Sequence, residues 1–306
     1  MELVLRGINK SFGKKQVLKD IGFTVKAGEA LGYLGRNGAG KSTTLRILSD
    51  IFRADSGEIL LDGKPLNHDA VRLGFLPEER GLYPKSKVGE QMVYIGQLRG
   101  MDAAAAKKGA MALLEELEIP DFWGRKLETL SKGNQQKIQL AIAVLHDPDI
   151  VILDEPLSGL DPVNAAMLKR LMLKQVKRNK IVLFSSHEMS YVEEFCEHIC
   201  IINNGEIVLD GRIRDIKKTY PRNIIAVFPE GNPQEFLKTL TLQGNWPTIA
   251  ERAQVQGEFI EVVLKDASHK QALLQMLAAQ SPGVDRVHVI EPTLQDIFIE
   301  KAGNAQ

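Results

Sequence analysis

From Gly35 to Ser42 the chain reads G-R-N-G-A-G-K-S, which fits the spacing G-x-x-x-x-G-K-[ST]. In such a loop, consecutive backbone N–H groups turn inward around one concave space. The missing Cβ at Gly35, Gly38 and Gly40 lets an anion come close. Lys41 adds a point charge, and the Ser42 hydroxyl is placed to ligate Mg²⁺. A helix beginning near Lys41 would aim its positive end at the same anion. This is chemistry for the phosphates of a nucleotide. A second group follows in D-I-V-I-L-D-E-P, where Asp154 and Glu155 stand side by side. Asp154 can hold Mg²⁺ through water, and Glu155 can position an attacking water or take its proton.

Both groups need strands to carry them. E-A-L-G-Y-L-G leads into the loop as a strand. D-I-V-I-L is a continuous apolar run that reads as a buried parallel strand with its carboxyl end opening on a site. A helix is expected from about Pro162, and K-I-V-L-F-S-S-H reads as a second buried strand. Strand, helix and strand around a phosphate loop predict an α/β fold with a mostly parallel sheet. Short strands at E-L-V-L-R-G-I, G-F-T-V and G-E-I-L-L-D-G precede a helical insertion at about 88–145. After Tyr220-Pro221 the pattern restarts as β-α-β-β-α-β, the ferredoxin-like order, without phosphate-loop chemistry. The expected division is residues 1–217 and a small α+β domain at 218–306.

Composition narrows the function classes. Lysine plus arginine and aspartate plus glutamate number 39 each, and this zero net charge argues against a nucleic-acid partner. Cys196 and Cys200 are too few for a disulfide framework and flank His198; without a fourth ligand they read as buried free thiols. The opening M-E-L-V-L-R-G-I-N-K has charges inside its apolar run, so a signal peptide is not expected. No window approaches the roughly 20 apolar residues that cross a bilayer, so a membrane role would need a partner to supply the span.

With the phosphate loop and the acid pair, L-S-K-G-N-Q-Q-K at 130–137 and S-S-H at 185–187 complete a set that resembles the ABC-type ATPase cassette over roughly Leu3–Gly211. The resemblance implies a mostly parallel sheet with an antiparallel β subdomain and a helical subdomain, and ATP and Mg²⁺ as cofactors. Gly35, Arg36, Asn37, Gly38, Ala39, Gly40, Lys41, Ser42 and Thr43 then form the phosphate-binding set. Ser42, Asp154 and Glu78 become the metal residues, and Glu155, His187 and Glu78 the catalytic set, with Glu155 the carboxylate that acts on water. Ser131 and Gly133 match signature positions that hold the γ-phosphate of a nucleotide in the opposite subunit. Phe12 matches the aromatic that stacks on adenine, Ser158 to Asp161 match the loop across the dimer seam, and His187 matches the switch histidine. Lys132 and Asn134 replace the usual glycine and glutamine. In F-L-P-E-E-R-G-L-Y-P, Glu78 stands where a metal- and water-contacting glutamine is usual. These departures and the ending E-P-T-L-Q-D-I-F-I-E-K-A-G are similar to the ABC-2 export branch, with its sodium-extrusion and drug-resistance subunits. The implied protein is an ATP-hydrolysing subunit at the cytoplasmic face of the membrane. A second ATPase subunit, identical or not, and an integral membrane permease would be its partners. The competing readings are a soluble ABC protein of translation or DNA repair, which usually carries two cassettes or a long coiled coil, and an unrelated P-loop kinase, which the signature run argues against.

Overall fold

The computed structural model describes residues 1–79, 81–281 and 283–303. By its contacts the chain divides into two compact units, one of residues 1–213 with 297–303 and one of Arg214–Asp296. Compared with a division at 217/218, the contacts move 214–217 into the second unit and return the last helical turns to the first.

In the first unit, β1 (Glu2–Phe12) and β2 (Lys15–Lys26) form a long antiparallel hairpin. It runs further than the short strands read from sequence because register shifts between Leu5 and Ile8, with Gly7 at φ +60°, absorb breaks in the apolar alternation. Next come β3 (Ala30–Leu34), α1 (Lys41–Leu48), β4 (Ser56–Leu61), β5 (Lys64–Pro65) and β6 (Leu73–Leu76). Helices α2 (Val88–Leu98), α3 (Ala103–Glu116) and α4 (Lys132–Val144) occupy the expected helical stretch. Then follow β7 (Ile150–Leu153), α5 (Pro162–Lys177), β8 (Ile181–Ser186), α6 (Met189–Phe195), β9 (His198–Asn203) and β10 (Glu206–Arg212), while α7 (Ile213–Lys218) lies, but for its first residue, in the second unit.

One sheet is antiparallel in the order β2-β1-β4-β5; the other runs β10-β9-β3-β8-β7-β6 and is parallel except for β10. Leu3, Leu5, Ile21 and Phe23 of the first sheet share a buried cluster with Leu31, Tyr33, Ile152 and Leu183 of the second and Leu45 and Leu48 of α1. Each fully buried aliphatic side chain contributes about 1.5–3 kcal/mol, so this layer fixes the two sheets around α1. The register decides the function: Leu34 lies opposite Ser186 and Leu153 opposite Phe184. The carboxyl ends of β3, β8 and β7 therefore lie side by side, bringing the glycine loop, His187 and the acid pair to one edge. The edge strand β6, which the sequence reading did not include, delivers Glu78 there too, and its Leu76 carbonyl accepts from Asp154 N at 2.8 Å.

The second unit holds β11 (Ile224–Pro229), α8 (Pro233–Thr241), α9 (Trp246–Ile249), β12 (Ala250–Gln256), β13 (Phe259–Leu264), α10 (Lys270–Ala278) and β14 (Val284–Val289), before α11 (Leu294–Gly303). Its sheet is antiparallel in the order β12-β13-β11-β14. Phe236 and Leu240 of α8 and Leu273 and Leu277 of α10 pack against Ile225, Val227, Ile260 and Val262. This is the ferredoxin-like arrangement, with Q-V-Q-G-E-F-I-E-V-V-L resolved into two strands around a turn at Gly257.

Candidate functional site

The loop between β3 and α1 borders a cavity of about 620 Å³. Arg36, Asn37, Gly38, Gly40, Lys41, Ser42 and Thr43 line it together with Glu155, Ser158, His187 and Glu78, and with Lys15 and Val17 of β2. Gly40 takes φ +117°, and a Cβ there would lie 2.6 Å from Leu18 Cδ2, so the sharp entry into α1 needs glycine. Gly35 does not line the cavity but is equally required, since its Cβ would come within 2.6 Å of the Ile202 carbonyl oxygen. Ala39 is buried, and its N–H closes the turn on the Arg36 carbonyl at 3.1 Å.

Lys41 and Glu155 are 6% and 7% exposed, with Nζ 3.6 Å from Oε1. The ammonium also donates to the Gly35 carbonyl at 2.8 Å. His187 Nδ1 lies 2.9 Å from Glu155 Oε2. Glu155 sits in the left-handed region, φ +51°, a conformation that costs a non-glycine residue on the order of 1–3 kcal/mol and clusters at functional sites. The hydroxyl of Ser185 accepts from Glu155 N at 2.9 Å and donates to Asp154 Oδ1 at 2.6 Å. Asp154 Oδ2 and Glu155 Oε1 are buried with no hydrogen-bond partner. Buried carboxylate oxygens left so are costly. Glu155 Oε1 faces Lys41; the unpartnered Asp154 Oδ2 and the Ser42 hydroxyl are oxygen donors of the kind Mg²⁺ takes when phosphates supply most of its shell, although Asp154 is fully buried and, unlike Ser42, is not among the residues that line the cavity. Among the described residues no group of three or more His, Cys, Asp or Glu could hold a metal.

The other sequence candidates stand elsewhere. Ser131 caps α4, its hydroxyl accepting from Asn134 N at 3.4 Å. Gly133 lies so close to Asn164 that a Cβ would fall 2.9 Å from Nδ2. Asp161 caps α5 by accepting from Asn164 N at 2.9 Å, and the backbone and side-chain amides of Asn164 hold its carboxyl below the usual carboxylate range. None of these three lines the cavity that holds Lys41. Phe12 does not line it either; it is half exposed at the end of β1, edge-on to Phe52 with centroids 5.5 Å apart. Cys196 and Cys200 are buried free thiols, and His198 Nε2 instead pairs with Asp210 Oδ1 at 2.8 Å. Sequence reasoning missed Lys15 and Val17, whose signal is their place just after the Gly13 turn that follows Phe12. It also passed over Ser185, the first of two serines that close an otherwise apolar strand.

A family model described as ABC transporter matches residues 18–158, and one described as the C-terminal domain of DrrA1-3-like ATP-binding protein matches 211–302. The chain is 39% identical over 303 residues to the ABC transporter ATP-binding protein YhaQ of Bacillus subtilis, covering 98% of each. It belongs to the ABC transporter ATP-binding proteins. Nod factor export ATP-binding protein I of Burkholderia lata is 31% identical over 303 residues, 97% of this chain and 96% of its own. The dimeric structure of a bacterial ABC transporter cassette aligns at 25% identity with a TM-score of 0.63, over 69% of this chain and 99% of that one.

The expected departure from glutamine at Glu78 can be tested by its chemistry. Glu78 lines the cavity, whereas its neighbour Glu79 turns outward to Arg46, with Oε1 3.6 Å from the guanidinium. A carboxylate in this lining binds a divalent cation more strongly than an amide does, yet repels Glu155 and a triphosphate. We expect Glu78→Gln to keep ATP binding while changing the Mg²⁺ dependence of hydrolysis, and Glu78→Ala to lower turnover about tenfold, the scale of metal-shell losses. Glu79→Ala removes an exposed ion pair, with an effect within about 0.5 kcal/mol. Steady-state ATPase assays across Mg²⁺ concentrations check this; a Glu79 effect exceeding the Glu78 effect would show the register to be off by one.

Proposed function

We propose that this chain is the ATP-binding and ATP-hydrolysing subunit of an export transporter, driving a separate membrane permease by closing on a second copy or a related ATPase subunit. The observation that carries the reading is the convergence of Lys41, Glu155 and His187 on the cavity of the glycine loop. Lys41 and the loop N–H groups bind the phosphates, and Glu155 takes the proton of the attacking water while His187 holds its carboxylate. Ser42 and Asp154, with Glu78 of the cavity lining, are the residues that would hold Mg²⁺, which supplies charge neutralisation at the phosphates. Ser131 and Gly133, away from this cavity, are free to complete the site of the facing subunit, and the dimeric cassette it resembles supports that pairing.

The export direction draws support from the Nod factor export relative and the DrrA1-3-like C-terminal region. No helix among the described residues is long and apolar enough to cross a membrane; in this reading a partner supplies the path and the subunit works at the cytoplasmic face. The purified chain should hydrolyse ATP at a rate that rises more steeply than linearly with its own concentration, because a pair is the active unit. Where a multi-spanning membrane protein is encoded beside it, the chain should also sediment with membranes when the two are co-expressed. Linear kinetics with a monomeric mass in ATP would overturn the pairing, and sedimentation indifferent to that permease would overturn the transporter reading.

A further inference from the structure

The S-S-H run contributes more than its histidine. Ser185 and Asp154 are fully buried, and Ser185 stands one residue beyond the last β7–β8 pair, Leu153 with Phe184. Its hydroxyl has one proton to donate, and that proton goes to Asp154 Oδ1 at 2.6 Å. Its lone pair accepts the N–H of Glu155 at 2.9 Å. One hydroxyl therefore binds the side chain of the first acid and the backbone of the second, across two strands. With Oδ1 occupied, the oxygen of Asp154 left without a partner is Oδ2. With its N–H tethered, Glu155 is held at φ +51°, the conformation that keeps its carboxylate between Lys41 and His187. The next serine does something else: Ser186 Oγ accepts from Glu188 N at 3.0 Å and touches neither acid.

We infer that Ser185 is a positioning residue of the ATPase site, which presents Asp154 Oδ2 to the divalent cation and fixes the backbone of Glu155 toward the attacking water. The inference rests on the roles proposed above for Asp154 and Glu155. Outer partners that orient a ligating carboxylate contribute about ten- to hundredfold to metal affinity or activity, and a mis-set general base loses turnover rather than nucleotide binding.

The test uses the full chain with a non-hydrolysable ATP analogue and Mn²⁺ as a spectroscopic stand-in for Mg²⁺, read by electron paramagnetic resonance. Ser185→Ala is expected to bind the analogue without metal as the native chain does, to need about tenfold more Mn²⁺ for half-saturation, and to lose kcat with little change in KM for ATP. Ser185→Thr keeps the hydroxyl and should recover native Mn²⁺ affinity, which also guards against a folding defect in the alanine variant. Ser186→Ala should leave the Mn²⁺ curve in place. A folded Ser185→Ala with native Mn²⁺ affinity and kcat, or a Ser186→Ala that shifts the curve equally, would overturn the inference. Failure of the native chain to bind the analogue would overturn the ATPase reading beneath it, a distinct outcome.

Discussion

Glu155→Gln should lower ATP turnover by about 10²- to 10⁴-fold, the range a positioned general base supplies, while leaving ATP binding intact or tighter. Glutamine keeps the length of the side chain and an oxygen that can accept from His187, and the backbone N–H bond to Ser185 is untouched. It lacks the charge that accepts a proton from water. It also lacks the charge that faces Lys41 at 3.6 Å, so the ammonium is left to the Gly35 carbonyl and any phosphate that enters. Nucleotide-free protein should therefore be less stable: breaking a buried pair costs about 3 kcal/mol at the low end, a fall of roughly 6–12 °C in Tm for a unit of this size. With ATP the order reverses, because binding returns an anion to Lys41 and closure is no longer undone by hydrolysis. Size-exclusion chromatography with ATP and Mg²⁺ should show a dimer for Glu155→Gln. A monomer that hydrolyses at the native rate would remove Glu155 from the mechanism.

What the sequence made legible followed how local the constraint was. The glycine loop is a contiguous run whose backbone demands are written in residue types, and Gly40 shows why: its φ of +117° and the approach of Leu18 leave no alternative. The apolar runs of β7 and β8 announced buried parallel strands, and their acid and histidine ends came with them. Legibility failed where neighbours in space are far apart in the chain. The edge strand β6 is four residues long with a glycine inside, too short for alternation to register, yet it sets the position of Glu78. Ser185 was visible in S-S-H, but that its hydroxyl reaches both acids depends on the β7–β8 register. The bulged β1–β2 hairpin hid the contribution of Lys15 and Val17 to the cavity. The return of residues 297–303 to the first unit is likewise a property of contacts.

Lys41→Ala should weaken ATP binding by roughly 30- to 150-fold, the equivalent of about 2–3 kcal/mol for hydrogen bonds to a charged group. The variant acts on the free protein too, because Lys41 is only 6% exposed and faces a carboxylate oxygen that has no hydrogen-bond partner. Removing the cation leaves Glu155 Oε1 buried without its counter-charge, so Tm should fall even without nucleotide, by an amount comparable to the Glu155→Gln loss. Joining the two changes separates the causes. In Lys41→Ala/Glu155→Gln neither charge remains, so the double variant should be less destabilised than the sum of the singles, the sign expected of groups in direct contact. Its ATP affinity, by contrast, should stay near that of Lys41→Ala, because neutral glutamine cannot replace the lost donor. Thermal melts of the four proteins and a fluorescent ATP-analogue titration measure both terms. Native affinity in Lys41→Ala would remove the glycine loop as the nucleotide site, whereas additive melting losses would leave the loop in place and show that the Lys41–Glu155 pair contributes nothing to the fold.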